Sequence, residues 1–164
     1  MKIQTQNTPQ QTQLGKLIED MSVAMFTTFD DDGLLVSRPM GPLEMDNDGA
    51  LWFFTERNSE KTEHLNRANL AFSNTSNGTY VSLSGRGEIH ENKDDIHRLW
   101  TVFAKPWFPD GPDSPNLVLL KFIPTVAEYW DSPHNKVVRL FSLAASIIAG
   151  KPVNMGDHDI IKNL

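Results

Sequence analysis

Apolar residues first recur at helical spacing, at Leu14, Leu17, Ile18 and Met21, which predicts a short helix over Leu14–Met21. The pattern then changes to short β-branched and aromatic runs separated by turn residues. Val23–Phe29 and Leu34–Arg38 flank Asp31-Asp32-Gly33, a turn whose glycine supplies a positive φ, so they predict a hairpin. Pro39 and Pro42 are expected to break the next ladder, which places Arg38 where strand becomes loop. Leu43–Met45 and Ala50–Thr55 read as strands around Asn47-Asp48-Gly49. Ser59–Ala68 reads as a helix capped by Ser59. Ala71–Asn74 and Thr79–Ile89 are strands around Asn77-Gly78. Asn92 caps a helix predicted over Lys93–Ala104, with Ile96, Leu99, Trp100 and Phe103 on one stripe. Lys105–Pro115 is proline-rich and reads as a loop; Leu117–Phe122 and Thr125–Trp130 are strands hinged at Pro124. A final helix is expected over Arg139–Ala149.

Seven or eight short strands joined by tight turns must pair antiparallel, and such a sheet loses its edges by closing into a barrel or pairing into a sandwich. The expected fold is mainly β, a small antiparallel barrel with peripheral helices. The chain divides into a loose N-terminal arm, 1–13, one domain over 14–151, and a polar tail, 152–164. With 164 residues, 39% of them apolar and 22% charged, the chain suits one globular core. There are no cysteines, which excludes disulfides, thiolate metal sites and cysteine nucleophiles. A net charge of −6 without a basic block argues against nucleic acid. Leu140–Gly150 is too short to span a bilayer, and the N-terminus lacks a secretory apolar core, so no membrane partner is expected and the cytoplasm is the expected location.

The chemistry concentrates between Arg38 and Lys61. An arginine at a strand end, an aromatic strand (Trp52-Phe53-Phe54-Thr55), then Ser59 and Lys61 at a helix start would bring positive charge and helix N–H groups beside an aromatic wall. A planar ligand with a phosphate needs that combination, and flavin mononucleotide (FMN) is such a ligand. Lys61 shares a helix face with Leu65, so an inward lysine at a helix N-terminus is explained by an anion there, or else snorkels to water. Arg38 is a phosphate partner or one half of a surface ion pair. Trp107, Phe108 and Trp130 lie in or beside proline-rich turns and serve an interface, a ligand, or a satellite hydrophobic cluster. None of the five histidines has metal-ligand spacing on a convincing helix, and His158 falls in the tail. Ser84-Gly85-Arg86-Gly87 lies in a strand, which excludes a dinucleotide fingerprint.

The motifs SRPM (37–40), LWFFT (51–55) with SEK (59–61), YVSLSGRGE (80–88), WFPDGPDSP (107–115) and LLKFIPTVAEYWD (119–131) occur in that order. Together they resemble the general stress protein 26 group of the pyridoxamine 5′-phosphate oxidase-like split barrels, over roughly Leu14–Lys151. The resemblance implies a homodimeric split β-barrel with FMN at the subunit interface. It implies that Arg38, Pro39 and Met40 line the flavin, Phe54 and Thr55 border it, Ser59 and Lys61 hold its phosphate, and Trp130 and Trp107 reach the partner's flavin. Glu60-Lys61 stands where the oxidases carry an Arg-Lys pair, which is expected to weaken phosphate binding unless Arg38 or another base compensates. No Arg-x-His-x-Arg follows Trp130, which argues against pyridoxamine phosphate oxidation. Tyr80 stands where the oxidases place a flavin-contacting glutamine. The implied activity is a flavin-dependent oxidoreductase of unknown substrate linked to general stress. The alternatives are a non-catalytic flavin store or stress sensor, or a binder of deazaflavin or haem; a haem site would want an axial histidine, which the candidate pocket lacks.

Overall fold

The computed structural model describes residues 1–59, 64–131, 157–162 and 164. The described strands are β1 (Lys2–Ile3), β2 (Ala24–Phe29), β3 (Leu35–Met40), β4 (Glu44–Met45), β5 (Leu51–Glu56), β6 (Ala68–Asn74), β7 (Thr79–His90), β8 (Leu117–Asp131) and β9 (Asp157–Lys162). They form one sheet in the order β1-β4-β5-β8-β7-β6-β2-β3, with β9 added to β8. All pairs are antiparallel except β1 with β4. Alternating side chains give the sheet an inner face, and that face curls round a single core. Met40 from the β3 edge joins Leu51 and Phe53 of β5 in this core. Phe26 of β2 meets Phe122 of β8 edge-on, with ring centroids 6.3 Å apart. The ladder does not close, so the result is a barrel-like sheet with two edges.

The predicted hairpins are present, and Gly33 takes the expected left-handed turn conformation at φ 77°. Pro39 does not end its strand; β3 continues to Met40, with Met25 opposite Pro39. An edge strand tolerates a proline because one side has no ladder partner. Arg38 therefore lies within a strand and not at a strand-to-loop junction. The two strands expected around Pro124 are one strand, β8, with a bulge. Ser84 faces Val126 and Gly85 faces Pro124, so Thr125 is the extra residue, and its hydroxyl donates to the Ser84 carbonyl at 3.0 Å.

Residues 1–13 are docked rather than loose. Backbone hydrogen bonds join Lys2 to Leu43 and Gln4 to Met45, each at 3.0 Å. Helix α1 (Pro9–Ile18) starts five residues earlier than Leu14, because Thr8 and Gln11 form a capping box with Pro9 at the first helical position. Helix α2 (Lys93–Leu99) ends before the predicted Ala104, at Trp100, whose backbone is extended; a 3-10 turn follows over Val102–Ala104. Phe103 is therefore not on the buried stripe and is 81% exposed. Ile96 and Leu99 pack with Trp52, Leu117 and Leu119 in a second cluster on the other face of the sheet. Within 59–68, residues 60–63 fall outside the described residues, Leu65–Arg67 is a turn, and Ala68 opens β6. The helix expected over Arg139–Ala149 also lies outside the described residues. The supposed tail contributes β9, which pairs with β8 from Val126 to Asp131.

A polar chain ties α2 to the sheet. The Glu44 carboxylate is 1% exposed, accepts from Arg98 Nη1 at 2.7 Å and from Gln4 Nε2 at 2.8 Å, and lies 3.7 Å from Lys2 Nζ. Arg98 also contacts Asp95, which meets His90 Nε2 at 2.9 Å.

Gly85 is a close-approach position: a Cβ there would lie 2.2 Å from the Ile123 carbonyl oxygen, which is backbone and cannot swing aside. Gly85→Ala is expected to cost about 1–3 kcal/mol of stability, the scale of core overpacking, read as a lower urea midpoint. Asp95 supplies a pH test. Its hydrogen bond with His90 holds the carboxyl below its usual value, against partial desolvation and with help from Arg98. A depressed folded-state pKa contributes stability that is complete above the unfolded value and is lost as pH falls through the folded one. Asp95→Asn is therefore expected to lower stability at neutral pH and to flatten the acid limb below about pH 4, measured as unfolding midpoints across that range.

Candidate functional site

Side-chain alternation distributes the candidate residues between the two faces of the sheet. On β3, Arg38 and Met40 point inward and Pro39 points outward, opposite Met25. Arg38 is half-buried opposite Phe26, and its Nη1 donates to Thr28 Oγ1 at 3.2 Å. On β5, Thr55 shares the inward face with Phe53, while Phe54 faces the second cluster. Met40 and Phe53 belong to one contiguous core, so Arg38 and Thr55 lie on the same concave face. Thr55 is 2% exposed, and its Oγ1 has no hydrogen-bond partner among the described residues. An unpaired buried hydroxyl is costly, so this atom marks a place where a polar ligand group would be accommodated.

Ser59 follows β5 directly, and its N–H donates to the Glu56 carbonyl at 3.2 Å in a turn. Lys61 lies outside the described residues. The chain re-enters at His64, whose Nε2 meets Asp31 Oδ1 at 2.7 Å, at the tip of the β2–β3 hairpin. Both flanks of the segment carrying Lys61 are thus placed, one beyond Thr55 and one on the hairpin that carries Arg38. The His64–Asp31 tie has no sequence signal because it joins residues 33 positions apart, and the Thr28 clamp, though inside the predicted hairpin, depends on side-chain direction across the two strands.

The loop aromatics divide. Phe108 packs against Phe54, with centroids 6.1 Å apart, and Trp100 does so at 5.6 Å; this is the satellite cluster under the loop. Trp107 is 72% exposed. Trp130 lies on the outer face of β8, opposite Tyr80 on β7, and is 42% exposed. Among the described residues of one chain, Arg38, Met40 and Thr55 face the concave side from β3 and β5, Phe54 lies on the opposite face against Trp100 and Phe108, and Pro39, Trp107 and Trp130 lie on other surfaces. No group of three or more His, Asp or Glu side chains suited to a metal ion occurs among the described residues, and no helix among them is long and apolar enough to cross a membrane.

Residues 9–154 match the family model described as pyridoxamine 5′-phosphate oxidase like. The chain is 28% identical over 155 residues to Protein bli-3 of Neurospora crassa, covering 87% of this chain and 74% of the relative. Among solved structures, a general stress protein 26 from Jannaschia sp. CCS1 superposes with a TM-score of 0.73 at 24% identity, covering 90% of this chain and 94% of the other. The general stress FMN/FAD binding protein of Xanthomonas citri superposes with a TM-score of 0.62 at 26% identity, covering 74% and 87%. The curled, unclosed sheet is thus the split barrel of these proteins.

Thr55→Val replaces the partnerless hydroxyl with a methyl of similar shape. In the ligand-free protein it is expected to raise stability by about 1–3 kcal/mol, the cost of the buried unpaired group. A higher urea midpoint for the valine variant is the measurement.

Proposed function

The chain belongs to the pyridoxamine 5′-phosphate oxidase-like family, and from that premise we propose that it binds FMN as a homodimer and works as a flavin-dependent oxidoreductase in the cytoplasm, linked to general stress. The observation that supports this reading is a concave face that carries both half-buried Arg38 and the unpaired Thr55 hydroxyl, the latter on the strand that precedes Ser59 and Lys61 in the chain. The name of the Xanthomonas citri protein supports a flavin.

In this reading Arg38 and Lys61 take the phosphate, Arg38 as a planar fork of donors and Lys61 as a point charge. Thr28 holds the Arg38 guanidinium in place, which reduces the ordering needed on binding. Ser59 adds a polar group at the start of the Lys61 segment. Thr55 offers its hydroxyl to a polar atom of the ligand. Met40 supplies apolar wall, and Phe54, backed by Trp100 and Phe108, keeps β5 from yielding. Pro39 shapes the strand edge rather than facing inward. Trp130 and Trp107 are free to approach the flavin of a partner subunit. A bound flavin supplies the hydride chemistry, and the chain supplies position, charge and exclusion of water.

FMN added to the purified protein is expected to show saturable fluorescence quenching at one flavin per subunit. Lys61→Ala and Arg38→Ala are each expected to weaken it by roughly 1.5–3 kcal/mol, about 10- to 150-fold, the scale of a hydrogen bond to a charged group. Thr55→Val should also weaken FMN while stabilising the free protein, and Trp130→Ala should weaken it only if subunits share the site. Absence of any flavin binding would sink the oxidoreductase reading while leaving the fold intact.

A further inference from the structure

Arg38 is directed along the β2–β3 hairpin towards its turn. Its cross-strand partner is Phe26, but its Nη1 donates to Thr28 Oγ1, two positions nearer the turn. The turn itself is held by its own hydrogen bonds. Asp30 Oδ1 accepts from the N–H groups of Asp32 and Leu34 at 3.0 and 2.8 Å, and the Asp30 N–H donates to the Leu34 carbonyl at 2.9 Å. β6 runs antiparallel to β2 with Asn69 opposite Thr27, so the stretch Leu65–Arg67 that leads into β6 lies beside the turn end of β2. At that end His64 Nε2 meets Asp31 Oδ1 at 2.7 Å.

His90, His97 and His158 also meet carboxylates, so such pairing alone distinguishes nothing. The His64–Asp31 contact differs in what it joins: the hairpin that carries Arg38 and the chain that follows Lys61. Lys61 precedes His64 by three residues, and three residues of chain reach at most about 11 Å. Beyond His64 the chain is anchored, because Leu65 belongs to the core and its carbonyl accepts from the Gly87 N–H at 2.8 Å. The contact needs no charge on the ring, since a neutral imidazole with its hydrogen on Nε2 donates to a carboxylate. Both side chains are exposed, at 38% and 84%, so the contact adds little to folding stability. What it restricts is the position of one cation-bearing segment relative to the other, which reduces the ordering left for a ligand to impose.

We propose that His64 is a positioning residue: through Asp31 it pins the chain that follows Lys61 to the hairpin end towards which Arg38 points, and so sets selectivity for a phosphorylated flavin over an unphosphorylated one. This role rests on the assignment of Arg38 and Lys61 to a phosphate.

Titrations of the full chain with FMN and riboflavin, followed by flavin fluorescence, and with inorganic phosphate, followed by amide chemical shifts, test it. His64→Ala and Asp31→Ala are each expected to lower the ratio of FMN to riboflavin affinity about three- to fivefold, the worth of an exposed pair. Riboflavin affinity and the urea midpoint should match the parent. The double alanine variant should lose no more than either single one, because the two side chains act as one contact. His64→Gln, whose amide can donate to Asp31, should retain most of the ratio. A ratio unchanged in either alanine variant, losses that add in the double variant, or equal losses for both flavins overturns the proposal. A parent that binds phosphate but neither flavin removes the flavin reading; a fall in phosphate affinity in both alanine variants then supports the tie, and a constant affinity overturns it. Equal affinity of the parent for FMN and riboflavin overturns the tie and leaves flavin binding standing. Binding of none of the three probes overturns both.

Discussion

The pairing of β7 with β8 is the constraint on which the other parts of the structure depend. It runs from Thr79 opposite Asp131 to His90 opposite Leu119 and so holds the two longest strands together. Three further strands pair directly with one of them: β6 with β7, and both β5 and β9 with β8. The bulge between Gly85 and Pro124 divides β8 into halves with different uses. Its first half, Leu117–Phe122, carries β5 and thereby Thr55 and Phe54. Its second half, Val126–Asp131, carries β9 and presents Trp130. A bulge adds local twist to the strand that contains it. One irregularity, permitted because Gly85 has no Cβ to strike Ile123, therefore lies between the half of β8 that carries Thr55's strand and the half that presents Trp130.

Alternation explains why a motif that is contiguous in sequence does not act on one surface. In Ser37-Arg38-Pro39-Met40, Arg38 and Met40 face the concave side and Ser37 and Pro39 the outer side. In Phe53-Phe54-Thr55, Phe54 is the member turned away, and it gains Trp100 and Phe108 as neighbours. A single strand thus turns the candidate site residue to one face and its packing support to the other. The cation at Arg38 is held by Thr28, two positions along β2 from its cross-strand partner Phe26, so the hairpin sets the direction of the guanidinium.

The hairpins were legible because turn glycines and period-two patterns are local signals. What was not legible depends on tertiary pairing. Asp157–Lys162 has no alternation worth the name, and it becomes a strand only because β8 offers a free edge beside Trp130. The two-residue strand Lys2–Ile3 depends on its partner in the same way. The capping box at Thr8–Gln11 was readable but hidden under a polar, glutamine-rich composition. Helix α2 carries no glycine or proline at its end, so nothing local signals the turn at Trp100, where packing on Phe54 replaces another helical turn. At the site, the order arginine, aromatic strand, serine, lysine was visible in the sequence; the unpaired Thr55 hydroxyl was not, because orphaning depends on what every neighbour does.

The proline-rich loop shows how exposure and rigidity can coexist. Phe108 is inserted beneath it, Lys93 Nζ donates to the Ser114 carbonyl at 3.0 Å, and His97 meets Asp113 at 2.8 Å. Backbone bonds from Trp107 and Phe108 to the Ala104 carbonyl, each 3.1 Å, close the intervening turn. The same stretch nevertheless displays Val102, Phe103 and Trp107 to solvent. Single exposed apolar side chains are common on protein surfaces, but three large ones on an anchored turn are a form of patch associated with contact surfaces. Because the loop is already fixed, a partner that covers it pays little for ordering the backbone. Such an anchored apolar turn is a candidate contact surface for the shared-site assembly proposed above.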